Sequence, residues 1–302
     1  MTTQISNQIS TCLWFNDQAE EAANFYVSIF DNAAILNTTP YLVETPSNKP
    51  EGSVMTVDFE LENLTFTALN GGPHFKFTPA ISFIVNCESK KEVDELWEKI
   101  SEGGQALMPL DSYPFSDRYG WTTDKYGLSW QLMLTNPEGD WRPKITPSMM
   151  FVNDNVGNAE EAMQFYTSVF EDAEISNNVN RYPAGMEPDE EGTIMYADFS
   201  IDDQWYAVMD SARDHNFNFN EALSFMVNCQ SQEEIDYYWE KLSAVPESEQ
   251  CGWLKDKFGV SWQIVPAEMD ALFSSEDAEK AKRTMEAMLQ MKKLDIKALR
   301  NA

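Results

Sequence analysis

Ala19-Glu-Glu-Ala-Ala-Asn-Phe-Tyr26 returns as Ala159-Glu-Glu-Ala-Met-Gln-Phe-Tyr166, and the same offset of 140 carries Phe30 to Phe170, Gly52 to Gly192 and Asp58-Phe59 to Asp198-Phe199. A repeat of this length decides architecture before any motif does. Ile81-Ser-Phe-Ile-Val-Asn-Cys87 returns as Leu223-Ser-Phe-Met-Val-Asn-Cys229 at an offset of 142, which also carries Trp97 to Trp239. Gly120-Trp-Thr-Thr-Asp-Lys-Tyr-Gly-Leu-Ser-Trp-Gln131 matches Gly252-Trp-Leu-Lys-Asp-Lys-Phe-Gly-Val-Ser-Trp-Gln263, but here the offset is 132. Ten residues are therefore missing from the second copy between Ser243 and Gly252, which predicts a shortened or absent strand there.

Within a copy, Asp17 or a neighbour can cap a helix running to about Phe30, with Ala19, Ala22, Ala23, Tyr26 and Phe30 close to helical spacing. Residues 54–61 alternate and are followed, across Glu62-Asn63, by a second strand at 64–69, the pattern of a hairpin. Ile81, Phe83 and Val85 give the next strand an apolar face, and Val93, Leu96, Trp97 and Ile100 give a helix at 90–100 its buried stripe. A last strand pair lies at Trp121 and at 128–134. Each copy thus reads strand, helix, three strands, and the same series again, an α+β architecture with helices on one face of a mixed sheet. The boundaries expected are a first domain at 1–136, a Pro-rich linker at 137–147, a second, shortened domain at 148–266 and a basic helical tail at 267–302.

The 302 residues carry 50 acidic and 21 basic side chains, a formal charge of −29, and such a field repels phosphate backbones and anionic lipid. Neither nucleic acid nor membrane is expected as a partner. With 43% hydrophobic residues and no apolar run of membrane-spanning length, the chain reads as a globular protein. Residues 1–7 show no basic segment followed by an apolar one, so the expected location is cytoplasmic. Cys12, Cys87, Cys229 and Cys251 have no metal-ligand spacing and read as reduced thiols. From Ala278 onward seven basic residues outnumber three acidic ones; Ser274-Ser275 can cap a helix there, and its expected dock is the chain's own acidic body or a second chain.

The Phe-Tyr after Ala-Glu-Glu-Ala, the Ile-Ser-Phe-x-Val-Asn-Cys strand and the closing Gly-Trp-x-x-Asp-x-x-Gly-x-Ser-Trp-Gln resemble the PhnB-like proteins, also labelled 3-demethylubiquinone-9 3-methyltransferase-like, of the vicinal oxygen chelate (glyoxalase/bleomycin resistance) superfamily. The resemblance covers both copies and the tail. It implies two tandem glyoxalase-like domains, each of paired βαβββ modules curling into a cup. It also implies where metal enzymes of the superfamily place ligands: Ser10, Ala80 and Gln131 in the first copy, and Pro147, Ala222 and Gln263 in the second. Alanine and proline cannot ligate, and the only histidines are His74 and His215, so no metal is expected. No glycine-rich turn joins a strand to a helix as a nucleotide-type cofactor would need, which argues against the methyltransferase label and leaves no cofactor expected.

The candidate site residues are Ser129 and Gln131, which share a strand face with Met133, and their counterpart Gln263; each glutamine either anchors a ligand or bonds across the sheet. Trp121 and Trp253 either wall a pocket or belong to the core. Cys251 faces the second cup or is an inert buried thiol. Phe75 and His215, in matching loops, either cover a cup mouth or plug the core. Arg118 reads as a surface arginine. The function expected is metal-independent binding of an unidentified small molecule in a concave sheet. The alternatives are an enzyme of the vicinal oxygen chelate type (lyase, isomerase or transferase), or cups filled by their own side chains. A monomer with pseudo-dimeric domains and a homodimer are both compatible with the repeat.

Overall fold

The computed structural model describes residues 9–44, 49–136, 138–139, 141–274 and 277–302. The N-terminal heptapeptide and Ser275, named above, lie outside them. The first repeat runs β1 (Ile9–Phe15), α1 (Ala19–Ile29), β2 (Ala33–Pro40), β3 (Val54–Leu61), β4 (Leu64–Asn70), β5 (Ile81–Cys87), α2 (Lys90–Ser101), β6 (Gln105–Tyr113), β7 (Ser116–Thr123) and β8 (Ser129–Leu134). The second runs β9 (Ile145–Val152), α3 (Ala159–Val169), β10 (Ala173–Arg181), β11 (Ile194–Ile201), β12 (Gln204–Ser211), β13 (Leu223–Cys229), α4 (Gln232–Leu242), β14 (Trp253–Lys255) and β15 (Ser261–Pro266). The tail forms α5 (Met269–Phe273), α6 (Ala278–Leu289) and α7 (Ile296–Arg300). As the ten-residue loss predicts, no strand equivalent to β6 stands between α4 and β14 among the described residues.

Two curled mixed sheets result, in strand orders β14-β15-β13-β1-β4-β3-β2 and β10-β11-β12-β9-β5-β8-β7-β6. Each combines a module from one repeat with a module from the other. Unit 1 comprises residues 1–76 and 220–302, and unit 2 comprises 77–219. The expected domains 1–136 and 148–266 are thus repeats of sequence, each divided between two compact units. The seam in unit 1 is the antiparallel pair β1 and β13, with Ser10 opposite Met226 and Cys12 opposite Ser224. In unit 2 it is β5 and β9, with Ser82 opposite Ser148 and Ile84 opposite Thr146. Pairing a module with its neighbour in sequence or with the matching module of the other repeat satisfies the same kind of backbone ladder, so strand patterns alone cannot distinguish them.

Local sequence explains the elements. The β3–β4 hairpin turns through Glu62 (φ 50°) and Asn63 (φ 70°), the left-handed pair that a tight hairpin needs. Asp17 does not cap α1; the first-turn donor of Ala19 is met at 2.9 Å by Asn70 Oδ1 from the end of β4. Asp210, in the matching place, accepts from Gly157 and Ala159 at the start of α3. Ser89 caps α2, its Oγ accepting from Glu92 N at 3.2 Å, and the Glu92 carboxylate reaches back to accept from Glu88 N at 2.8 Å. On the helix side of the unit 1 sheet, Tyr26 stacks on Phe59 and Phe59 on Phe66. In the closing motif, Asp124 and Asp256 are buried and tie down their turns: each accepts two backbone N–H bonds and the indole of Trp130 or Trp262 at 2.9 Å.

Asp277 caps α6 in place of the expected Ser274-Ser275, accepting from Lys280 N at 3.1 Å. The tail packs on unit 1: Phe273 and Met285 join Tyr41, Val43 and Met55, while Leu294 and Leu299 join Val265. Its cations meet carboxylates of the same unit, Lys282 with Glu51, Lys292 with Glu249 and Lys293 with Asp236. No helix among the described residues is long and apolar enough to cross a membrane.

Candidate functional site

The concave face of unit 1 is built by alternation. β1 turns Ser10 and Cys12 inward, β4 turns Thr65 and Thr67, β3 turns Thr56 and Asp58, and β15 contributes Gln263. The tail closes over them with Met269, Asp270, Phe273 and Met288, leaving a cavity of about 180 Å³. Cys251 and Trp253 stand at its wall.

One polar group in this cavity is incompletely satisfied. Asp58 Oδ1 accepts from Thr67 Oγ1 at 2.6 Å, but its buried Oδ2 has no hydrogen-bond partner among the described residues. Asn37 lies near enough to favour the charged carboxylate without a bond of normal geometry, donating instead to Thr39 at 3.2 Å. Burial, then the charge of Asp270, pushes the Asp58 carboxyl up to about 6. Asp270 is exposed as a whole residue, yet its carboxyl is itself raised by burial. Gln263 Nε2 donates to Ser224 Oγ at 2.9 Å, and its amide lies beside the Cys12 thiol. Burial raises the Cys12 thiol to about 12 and raises Cys251 as well, so neither is an activated nucleophile.

Unit 2 closes the same positions with its own side chains. Asp198, the counterpart of Asp58, is fully buried and holds Arg142 through Nε at 3.0 Å and Nη2 at 3.2 Å. Asn178 and Ser176 donate to it as well. The guanidinium lies 4.5 Å over the ring of Trp205, whose counterpart in unit 1 is Thr65. Gln131 donates to Ser82 and accepts from the Tyr119 hydroxyl, both at 2.7 Å, and Cys251 stands where Tyr119 would be in unit 1.

The candidates divide differently from the sequence expectation. Gln263, Trp253 and Cys251 meet in unit 1 together with Phe75, which packs 5.1 Å from Trp14; Trp14 in turn lies 5.8 Å from Trp253. Ser129, Gln131, Trp121 and His215 belong to unit 2. There Trp121 Nε1 donates to Ser129 Oγ at 2.8 Å, and His215 Nε2 shares a 2.8 Å bond with Ser211 Oγ, burial lowering its pKa. Phe75 and His215 therefore exchange cups relative to the repeats that contain them, because the seams join modules of different repeats. Arg118 is held by Asp94 at 2.7 Å.

The expected ligand register is also corrected at one position. Asn228 donates to Ser10 Oγ at 3.3 Å, and its counterpart Asn86 to Thr146 Oγ1 at 3.4 Å, so Thr146 and not Pro147 matches Ser10. Pro147 is opposite Phe83, one residue out of register, and a one-residue slip changes the face. Ala222 keeps the parity of Ser224 and Met226 but precedes the strand and is buried. Hydroxyl, amide and methyl groups at these positions do not fit a catalytic divalent metal, and no described cluster of three or more His, Cys, Asp or Glu could hold one.

Asp58, Asp270, Arg142 and Trp14 were not singled out as site residues from the sequence. Asp58 had a signal: it is an acidic residue on one face of an alternating strand, repeated at Asp198. Arg142 had none, since nothing local says that a linker arginine enters a cup.

A family model described as 3-demethylubiquinone-9 3-methyltransferase matches residues 7–133 and 143–265. Among solved structures, a putative 3-demethylubiquinone-9 3-methyltransferase, PhnB protein, from Bacillus cereus is 44% identical, covering 43% of this chain and 100% of its own, with a TM-score of 0.40. A glyoxalase I mutant from Zea mays is 12% identical, covering 86% of this chain and 93% of its own, with a TM-score of 0.50, a likeness of fold alone. No curated protein matches.

Proposed function

The chain belongs to the 3-demethylubiquinone-9 3-methyltransferase (PhnB-like) family, and from that membership and the unit 1 cavity we propose that it binds a small molecule in the concave sheet of unit 1 without a metal. One contrast carries this reading. The carboxylate position that unit 2 satisfies with Arg142 is left open in unit 1, where Asp58, with its Oδ2 unpaired, lines a cavity. Buried polar atoms without partners cost stability, so a cavity that retains them is suited to a ligand that supplies the partners.

At about 180 Å³ the cavity is smaller than the roughly 300–1,000 Å³ of pockets for drug-sized ligands. It does not fit a nucleoside cofactor, so the methyl transfer named by the family description finds no support in this site. Its occupant is of amino-acid size or smaller.

The test is a thermal-shift screen of fragment-sized molecules on the full chain, repeated with Thr65→Trp, which places in unit 1 the residue that unit 2 carries at Trp205. Hits that stabilise the parent by several degrees and fail on the folded variant support the reading. A screen without hits, or hits indifferent to Thr65→Trp, would refute it.

A further inference from the structure

The repeat supplies its own comparison for the ligand. Asp58 and Asp198 hold the same register on equivalent hairpins, Asp58 opposite Thr67 and Asp198 opposite Ala207. In unit 2 the carboxylate is met by a guanidinium that makes two N–H bonds and lies over an aromatic face. In unit 1 the carboxylate keeps one hydroxyl partner and an unpaired oxygen, and a second carboxylate, Asp270, joins it from α5. Among the described residues, no lysine, arginine or histidine lines the cavity. The remaining wall is rich in methionine, Met55, Met226, Met269 and Met288, which adapts to an apolar stem of varied shape.

We propose that the unit 1 cup takes a small organic cation, a guanidinium or primary ammonium on a short apolar stem, whose head sits on Asp58 as Arg142 sits on Asp198. This rests on the small-molecule reading above and names the ligand class. Charge is the discriminating feature. An anionic ligand would face two carboxylates in a site without a counter-charge, and a neutral one would leave the Asp58 charge uncompensated at neutral pH. A guanidinium offers the two parallel donors that a carboxylate accepts, and an ammonium offers three donors from one point. The upward push on the Asp58 carboxyl has the same origin: a buried acid without its cation.

The experiment uses the full chain with methyl-labelled methionine, titrated at pH 7.5 with n-propylguanidinium, n-butylammonium and the neutral n-butyramide, and followed by NMR and calorimetry. The two cations are expected to shift cup methionine signals and to bind at least about tenfold more tightly than the amide, with Asp58→Asn erasing that preference. A second, independent variant is Arg142→Ala, which empties the Asp198 position. It should gain a second guanidinium site and recover stability in n-propylguanidinium but not in n-butyramide. If the amide binds as tightly as the cations and Asp58→Asn changes nothing, the cation assignment is wrong while the small-molecule reading stands. If the cations bind but Thr65→Trp leaves them unaffected, the Asp58 site is also wrong. If no probe binds, the cation assignment falls, and the fragment screen decides separately whether the cup reading falls with it.

Discussion

Arg142 bridges the carboxylate of Asp198 through Nε and Nη2 at 3.0 and 3.2 Å, while Asp58, its equivalent in the other sheet, has one oxygen buried and unpaired. The same strand position is thus a closed ion pair in one unit and an open acid in the other. The consequences can be measured separately.

Asp58→Asn should stabilise the protein at neutral pH. The unfolded chain loses this proton near 3.8, whereas the folded chain keeps it up to about 6. Between those values the unfolded state binds fewer protons, so stability falls as pH rises and stays lower above the window. Asparagine avoids that loss. The variant should exceed the parent by about 1–3 kcal/mol at pH 7.5 in urea unfolding, and the gap should close below about pH 4. A gap that is constant with pH would contradict the assignment.

Arg142→Met should destabilise strongly, by about 3–5 kcal/mol, because it strands a fully buried carboxylate. Adding Asp198→Asn should recover much of the loss, since the stranded charge is removed with its partner. Urea midpoints of the single and double variants measure this coupling.

Leu299→Ala should cost about 2–5 kcal/mol, since Leu299 is fully buried with Leu294 and Val265 where the tail seals unit 1. Arg300→Ala should leave the urea midpoint close to that of the parent, because its ion pair with Glu268 is exposed and screened by solvent. Similar losses from both would mean that charge and not burial seats the tail.

Gly71→Ala should disturb the Trp14 cluster. A Cβ at position 71 would lie 2.2 Å from Trp14 Cε2, a distance that forces the ring to move. Trp14 packs against Phe75 and Trp253, so a cost of about 1–3 kcal/mol and an altered tryptophan emission are expected.

Native thiols should react slowly with a disulfide reagent at pH 8. Cys12, Cys87 and Cys229 are buried and pushed upward, and half-buried Cys251 is raised too. A rapid equivalent of reaction in the folded chain would overturn this.

Much of the fold was legible because its signals are local. The Glu62-Asn63 turn, the alternation through β3 and the stripe of α2 each lie within about a dozen residues. The ten-residue loss announced the missing strand directly. Cups and pairings were harder. Phe75 and Gln131 come from one repeat and lie in different units, while Phe75 and Trp253 come from different repeats and share Trp14. Pro147 shows the sensitivity: a single residue of misalignment assigned it to the face that Thr146 occupies.

The amino-acid order by itself determined the repeat, the family resemblance, the helices and strands and the residue types that rule out a histidine-rich metal centre, because periodicity and composition act over short stretches of chain. Only the tertiary structure decided which modules share a sheet, that the tail seals unit 1, and that Arg142 neutralises Asp198 while Asp58 stays open. Those outcomes depend on which distant surfaces meet and on how a buried charge is compensated, and neither is encoded in the neighbourhood of any one residue.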